Sequence, residues 1–412
     1  MMSTPFPPLR PVDAVPVEHE GQTLFCLNDP AGYVDEQLLL SPGAFFLAAN
    51  LDGRQDLRDI QGVFARHFRG TLIREEQVLE VVRCLDEHGF LLNERFEARR
   101  REVEEAFRQQ ETRVSTLAGK GYPADPDTLR RFLDGFFTET GGTIPAETAP
   151  GDGAPPQPCL IVPHIDYPRG GAAYAHGYRS LYGQGRPDTV FVFGVAHAGV
   201  PVPFSLTRKH FETPFGLVKT NRELAERLEA ACDWDPYAWE YVHRNEHSIE
   251  LQVVMLAYLY GTQVQIVPIL CSAFSEDPEM SHPETIAGVR RFLDACREIA
   301  AEPEQRVSVI AGADLAHRGK RFGDPFDIDD AVIAAVAERD REDLEHVTRS
   351  DAGAFYASVM RDQNERKVCG LGCIYAALKT VEGRTNTAEL LHYGYAHDPA
   401  GGIVSFASIG LS

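Results

Sequence analysis

Three histidines and a cysteine stand where short apolar runs give way to turns. His164 closes Cys-Leu-Ile-Val-Pro-His, and His197 follows Thr-Val-Phe-Val-Phe-Gly-Val-Ala. His317 follows Val-Ser-Val-Ile-Ala-Gly-Ala-Asp-Leu-Ala, and Cys369 opens a Cys-Gly turn ahead of a helical pattern. Apolar, β-branched runs of this length read as buried strands. In open α/β sheets, ligands gather beyond the carboxyl ends of such strands. Imidazoles and a thiol converging there would suit a transition metal.

Neighbouring residues extend the set. Asp166, two residues after His164, is placed to accept from that ring and fix its tautomer. Glu246 and His247 open a helix whose apolar side runs through Ile249, Val253 and Leu256. At a helix N-terminus a carboxylate is favoured and an imidazole stays neutral; simple capping is the competing role for Glu246. Asp314 and His317, three apart, read as one turn carrying an oriented general acid or base. Cys369, next to a helix start, is expected to have a lowered thiol pKa, which suits ligation or nucleophilic attack. Cys369, His317 and Asp314 would also compose a cysteine-hydrolase triad, an alternative that needs no metal.

The elements that must position these residues alternate in kind from residue 159 onward. Strand-length apolar runs at 160–162, 190–193, 264–270, 307–310, 390–393 and 403–409 are separated by helical patterns. Those patterns lie at 222–232, 248–260, 283–299, 329–338 and 372–380. Such alternation predicts an α/β domain over 115–412, with a mostly buried central sheet flanked by helices. Within it, 141–158 is rich in Gly, Pro and Thr and reads as a flexible loop.

Ahead of that domain, 1–37 is Pro-rich and reads as irregular. Residues 38–93 hold three short helical patterns, the first capped by Ser41-Pro42 and the second by Asp56, and end in the apolar Phe90-Leu91-Leu92. This arrangement resembles a winged helix, and in particular the small PqqD-like peptide-recognition domains that accompany radical-SAM enzymes. Residues 94–114 form a charged helical connector.

Composition narrows the class. Forty Lys and Arg against 61 Asp and Glu give a net charge of −21, which argues against nucleic-acid and anionic-membrane partners. No apolar run reaches a membrane span and no secretory leader opens the chain, so a cytoplasmic location is expected. The eight cysteines are dispersed, without a Cys-x-x-Cys pair, so they read as buried thiols or ligands rather than disulfides. No nucleotide-binding glycine fingerprint is present.

Taken in order, Val162-Pro163-His164, Gly194-Val195-Ala196-His197, Glu246-His247-Ser248, Asp314-x-x-His317 and Cys369-Gly370 resemble the Memo family, protein B of the bacterial AmmeMemoRadiSam system. Ala118-Gly119-Lys120-Gly121-Tyr122-Pro123 resembles that family's entry, so the likeness runs from about residue 115 to the end. It implies a fold akin to class III extradiol dioxygenases and a mononuclear iron(II) site, with copper as the other candidate metal. By motif, His164, His197 and Cys369 would be the ligands, with the cysteine in place of the dioxygenases' carboxylate. His317 would be the acid/base residue, supported by Asp314 and Glu246, with His247 lining the pocket. Partners implied are a radical-SAM protein and an AMMECR-type protein, with a peptide at the N-terminal domain. The chain departs from the family at Ala198, Ala313 and Leu371, where a second His, a Ser and an Arg are usual. Besides a dioxygenase-like oxidoreductase, the readings left open are a non-catalytic metal- or peptide-binding adaptor, a metal buffer and the cysteine hydrolase.

Overall fold

A computed structural model describes residues 4–19, 21–142, 155–272, 274 and 282–412. The chain divides into two compact units, Met1–Gln109 and Gln110–Ser412. Most of the Gly/Pro-rich stretch expected to be a flexible loop, residues 143–154, lies outside the described residues.

The first unit begins with a three-stranded antiparallel sheet, β1 (Asp13–His19), β2 (Gln22–Asn28) and β3 (Leu38–Leu40). This corrects the reading of 1–37 as irregular. β1 is largely solvent-facing and carries Pro16, which an edge strand tolerates, so it lacks the apolar alternation that marks a strand. Four helices follow: α1 (Pro42–Ala49), α2 (Leu57–His67), α3 (Glu75–Glu87) and α4 (Glu94–Gln109). The Ser41 and Asp56 side chains cap the first two, as their positions foretold. Leu27, Leu47, Ile60, Val78, Leu85 and Phe90 meet in one small core.

The second unit is a mixed α/β fold. Its elements are β4 (Thr112–Arg113), α5 (Pro126–Glu139), β5 (Cys159–Val162), α6 (Tyr167–Tyr182), β6 (Thr189–Val195), β7 (Phe204–Leu206), β8 (His210–Thr213) and β9 (Gly216–Val218). After these come α7 (Arg222–Glu229), α8 (His247–Tyr260), β10 (Gln265–Cys271), α9 (Ala287–Ala300), β11 (Val307–Gly312) and β12 (Asp314–Gly319). The chain closes with α10 (Asp330–Thr348), α11 (Ala352–Met360), α12 (Leu371–Thr380), β13 (Ala388–Asp398) and β14 (Gly402–Leu411).

The main sheet runs β12-β14-β5-β11-β6-β10-β7, with β13 on β14. Its centre, β5-β11-β6-β10, is parallel, and the flanks are antiparallel. Alternate side chains feed two cores. Ile161, Phe191, Phe193 and Val309 face one, which α7, α9 and α12 cover. Leu160, Val162, Val190 and Ile310 face the other, under α5, α6 and α8. Strands covered on both faces read as unbroken apolar runs, which is why this part of the sheet was legible.

Among the elements that differ from the sequence reading, two flank the candidate site residues. Residues 167–182 form a full helix, although Gly170, Gly171 and Gly177 weaken its propensity. Close packing explains the glycines, since a Cβ on Gly177 would sit 2.5 Å from Val162 Cγ1. The second is the segment after β11, where Asp314 and His317 lie on strand β12 rather than on one helical turn. A bulge separates them.

Candidate functional site

β5 and β6 run parallel on either side of β11, so their carboxyl ends open on the same edge. His164 lies two residues beyond β5, His197 two beyond β6, and Asp314 two beyond β11. On the sheet's second face, α8 begins at this edge. It is apolar on nearly every side and buried from Ser248 to Tyr258, as a helix without a polar face must be. It comes this close because Gly194 and Gly312 have no side chains. A Cβ on Gly194 would meet Ser248 Oγ at 2.6 Å, and one on Gly312 would meet the Ser248 carbonyl at 2.6 Å. The helix N-terminus thereby delivers Glu246 and His247 to the histidines.

His164 is almost fully buried. Its Nδ1 lies 2.8 Å from the Gly312 carbonyl, which sets Nδ1 as the donor and leaves Nε2 as the lone pair. That Nε2 lies 3.3 Å from Cys369 Sγ and 3.6 Å from Asp314 Oδ2. Asp314 Oδ1 accepts from the main-chain N–H of His164 and of Ile165 at 3.0 and 3.2 Å. Asp166 does not serve His164; it caps α6 and pairs with Arg169 at 2.6 Å. The sequence reading assigned the orienting role to the wrong group, because the true acceptor, a main-chain carbonyl on β11, has no sequence signature.

His197 Nδ1 lies 3.0 Å from Glu246 Oε1, and its main-chain N–H donates to Oε2 at 3.1 Å. The Glu246 carboxylate also accepts from Ser248 N at 2.9 Å and lies 3.3 Å from His247 Nδ1. Capping and ring orientation are therefore both done by Glu246, and its imidazole is His197, not His317. Burial raises the Glu246 carboxyl, but the His197 hydrogen bond and the two imidazoles outweigh it and hold the group far below the usual carboxylate range. Burial likewise lowers His197, and the Glu246 carboxylate more than restores it, so this ring ends above its ordinary value. Burial wins at His164, held down to about 3, and at His247, held at about 4.

Cys369 precedes the N-terminus of α12, with Gly370 between. Glycine is required there, because a Cβ would sit 2.5 Å from Ala313 Cβ and 2.6 Å from the Asp314 carbonyl. The expected lowering of the thiol pKa is not found. Burial first, and then the nearby Asp314 carboxylate, push it well above its ordinary value. A cation at the site would reverse that balance, since ligation requires the thiolate.

The ligand atoms of His164, His197 and Cys369 all lie within 4.8 Å of one another, as do those of His197, Glu246 and His247. Two ligands of one tetrahedral ion, one nitrogen and one sulfur, stand about 3.6 Å apart. The 3.3 Å between Sγ and Nε2 is close to that spacing. Two imidazoles with their second nitrogens already committed, beside a thiol, are a donor set a transition metal fits.

His317 lies outside both groupings. Its Nδ1 is shared by the Leu315 and Lys367 carbonyls at 3.1 Å each, and its ring meets Phe322 edge-on. Burial lowers it, and the Asp314 charge partly offsets this without a direct hydrogen bond. The triad of the hydrolase reading is therefore not assembled, since Cys369 Sγ faces His164 and Asp314 holds main chain. A cavity of about 960 Å³ opens beside His197 and Cys369. Val200, Trp239, Phe274, Tyr356 and Met360 give it an apolar wall, and Gln363 and Lys367 a polar one. The sequence reading missed this wall because its residues come from four separate segments.

Residues 113–409 match the family described as Memo-like protein. The chain belongs to that family. A MEMO1 family protein of Methanopyrus kandleri is 31% identical over 307 residues, covering 72% of this chain and 98% of that protein. A MEMO1 family protein of Methanococcoides burtonii is 30% identical over 303 residues, with the same coverage of each chain. One from Aquifex aeolicus is 27% identical over 387 residues, 93% of this chain and 95% of its own, and so reaches into the first unit. An uncharacterized Escherichia coli K12 protein of known structure covers 62% of this chain and all of its own, at 15% identity and a TM-score of 0.38. Among the described residues, no helix is long and apolar enough to cross a membrane.

Proposed function

We propose that this Memo-like protein holds one iron(II) ion through His164, His197 and Cys369, and uses it for dioxygenase-like redox chemistry on a small organic or peptide-borne group. The observation that carries the reading is the convergence of three ligand atoms, two of them on imidazoles whose neighbours already fix their tautomers. With three protein ligands on one side, a bound iron would supply open positions for oxygen and substrate together. Copper is the alternative ion, because the thiolate softens the site.

The chain's own residues supply the rest. Glu246 keeps His197 turned with Nε2 outward and balances positive charge. The apolar wall around Trp239 and Phe274 excludes water and seats the substrate's carbon skeleton. His317, neutral and with Nδ1 tied to two carbonyls, offers Nε2 to take up a proton and return it. His247 stacks on the His197 ring, with ring centroids 4.7 Å apart, and helps hold it in place. Anaerobic equilibrium dialysis tests the proposal: iron(II) should saturate at about one ion per chain, and uptake of neither iron nor copper would overturn it.

The division into two units favours a second role alongside the first. Archaeal relatives are spanned almost end to end by the part of this chain that matches them, so the first unit is an addition to the shared fold. In that role it binds a peptide and presents it to a radical-SAM partner. Deletion of residues 1–109 should then abolish peptide binding and leave iron binding intact; loss of neither would refute the added role.

A further inference from the structure

Between α11 and α12 the chain bends through three left-handed residues that are not glycine. Gln363, Asn364 and Lys367 have φ of 58°, 56° and 55°, and all three line the cavity. Such backbone persists only where its surroundings hold it. Asn364 supplies part of the hold, accepting from Val368 N at 2.7 Å and donating to the Val368 carbonyl at 3.2 Å.

Arg366 supplies the rest. Its side chain is about 5% exposed and reaches two carboxylates of α10, Asp340 at 2.7 Å and Asp343 at 2.5 Å, both fully buried. Asp340 also accepts from Ser405 of β14 at 2.5 Å and from Tyr393 of β13 at 3.0 Å. Asp343 accepts from Ser358 of α11 at 2.6 Å. Ser405 in turn accepts from Ala316 N of β12 at 3.0 Å. Two helices and three strands are thus tied to one guanidinium.

The main chain at that point is directed at the site. The Arg366 carbonyl accepts from His317 N at 2.7 Å, and the next carbonyl, Lys367, accepts from the His317 ring. Two residues later comes Cys369. We infer that Arg366 is a positioning residue: clamped between Asp340 and Asp343, it sets the main chain that presents the Cys369 thiol and fixes the His317 ring. What Cys369 and His317 are positioned for rests on the metal reading; the positioning itself is measurable without metal. Lysine cannot reproduce the clamp, since it is a point charge rather than a planar fork spanning two carboxylates.

The test compares wild type with Arg366→Met, Arg366→Lys and the triple variant Arg366→Met/Asp340→Asn/Asp343→Asn. The last leaves no buried charge stranded and guards against simple misfolding. In metal-free full-length protein, alkylation of each cysteine by iodoacetamide is followed by peptide mass spectrometry. Cys159 and Cys296, both fully buried, report general opening. Cys369 should react at least tenfold faster in the Met and triple variants while Cys159 and Cys296 stay at wild-type rates, with Lys in between. In parallel, cobalt(II) affinity should fall about 10–100-fold, with a weakened near-ultraviolet thiolate band. An unchanged Cys369 rate in the triple variant, or a rise shared by Cys159, would overturn the inference. Wild-type protein that takes up no cobalt would instead refute the metal reading and leave the alkylation rates to decide on Arg366.

Discussion

At the scale of the residue, the site is built on second nitrogens. Each imidazole that points into it is turned by a partner on its far side, the Gly312 carbonyl for His164 and the Glu246 carboxylate for His197. Replacing Glu246 with Ala should therefore do two separable things. In metal-free protein the His197 ring should titrate at lower pH, because only the weaker pull of the Asp314 charge then opposes burial; nitrogen-detected NMR of the ring reads this. In metal-loaded protein the affinity should drop about 10–100-fold, measured against a competing chelator. An unmoved His197 titration would mean that the carboxylate is only a helix cap. The three histidines stood out in the sequence because each ends an apolar run, and Cys369 because it opens a Cys-Gly turn ahead of a helical pattern. Asp314 was legible as a participant but not in its role. It accepts main-chain N–H groups some 150 positions away, a contact without local signature.

At the scale of the element, access depends on close approach. Helix α8 brings Glu246 to the strand ends only because Gly194 and Gly312 leave room for it. Gly194→Ala should cost about 1–3 kcal/mol by overpacking, read by denaturant unfolding, and should also weaken metal binding as α8 retreats. A stable variant with full affinity would show that the approach is not needed. The same physics explains what the sequence concealed. Helix α6 was hidden because its glycines serve close packing, Gly170 against Ile165, Gly171 against Phe136 of α5 and Gly177 against Val162 of β5, rather than helix propensity. Strand β12 was hidden because its bulge breaks the period-two pattern that would have announced it. The parallel strands, covered on both faces, were the plainest elements of all.

At the scale of the whole molecule, a buried pair joins the start of the Memo-like unit to its central helix. Arg113 on β4 pairs with Glu250 on α8, and Tyr122, Thr116 and Leu117 also donate to that carboxylate. Arg113→Ala should cost about 3–5 kcal/mol, since it strands a buried charge; a loss under 1 kcal/mol in calorimetry or denaturant titration would contradict this. Acid should also unfold this unit early. Burial holds His243, whose Nε2 meets the Ser205 carbonyl, down to about 3. The unfolded chain protonates near pH 6.5 and the folded chain does not, so this stability is full above pH 6.5 and falls as pH drops. By pH 5 the loss is about 2 kcal/mol, and His243→Gln should remove that part of the slope. The central claim is tested most directly by the metal content of anaerobically purified protein, wild type beside His164→Ala, His197→Ala and Cys369→Ala. About one iron per chain in wild type, lost in all three variants that remain folded, is the expected result. Wild-type protein without metal, or variants that keep it, would contradict the account.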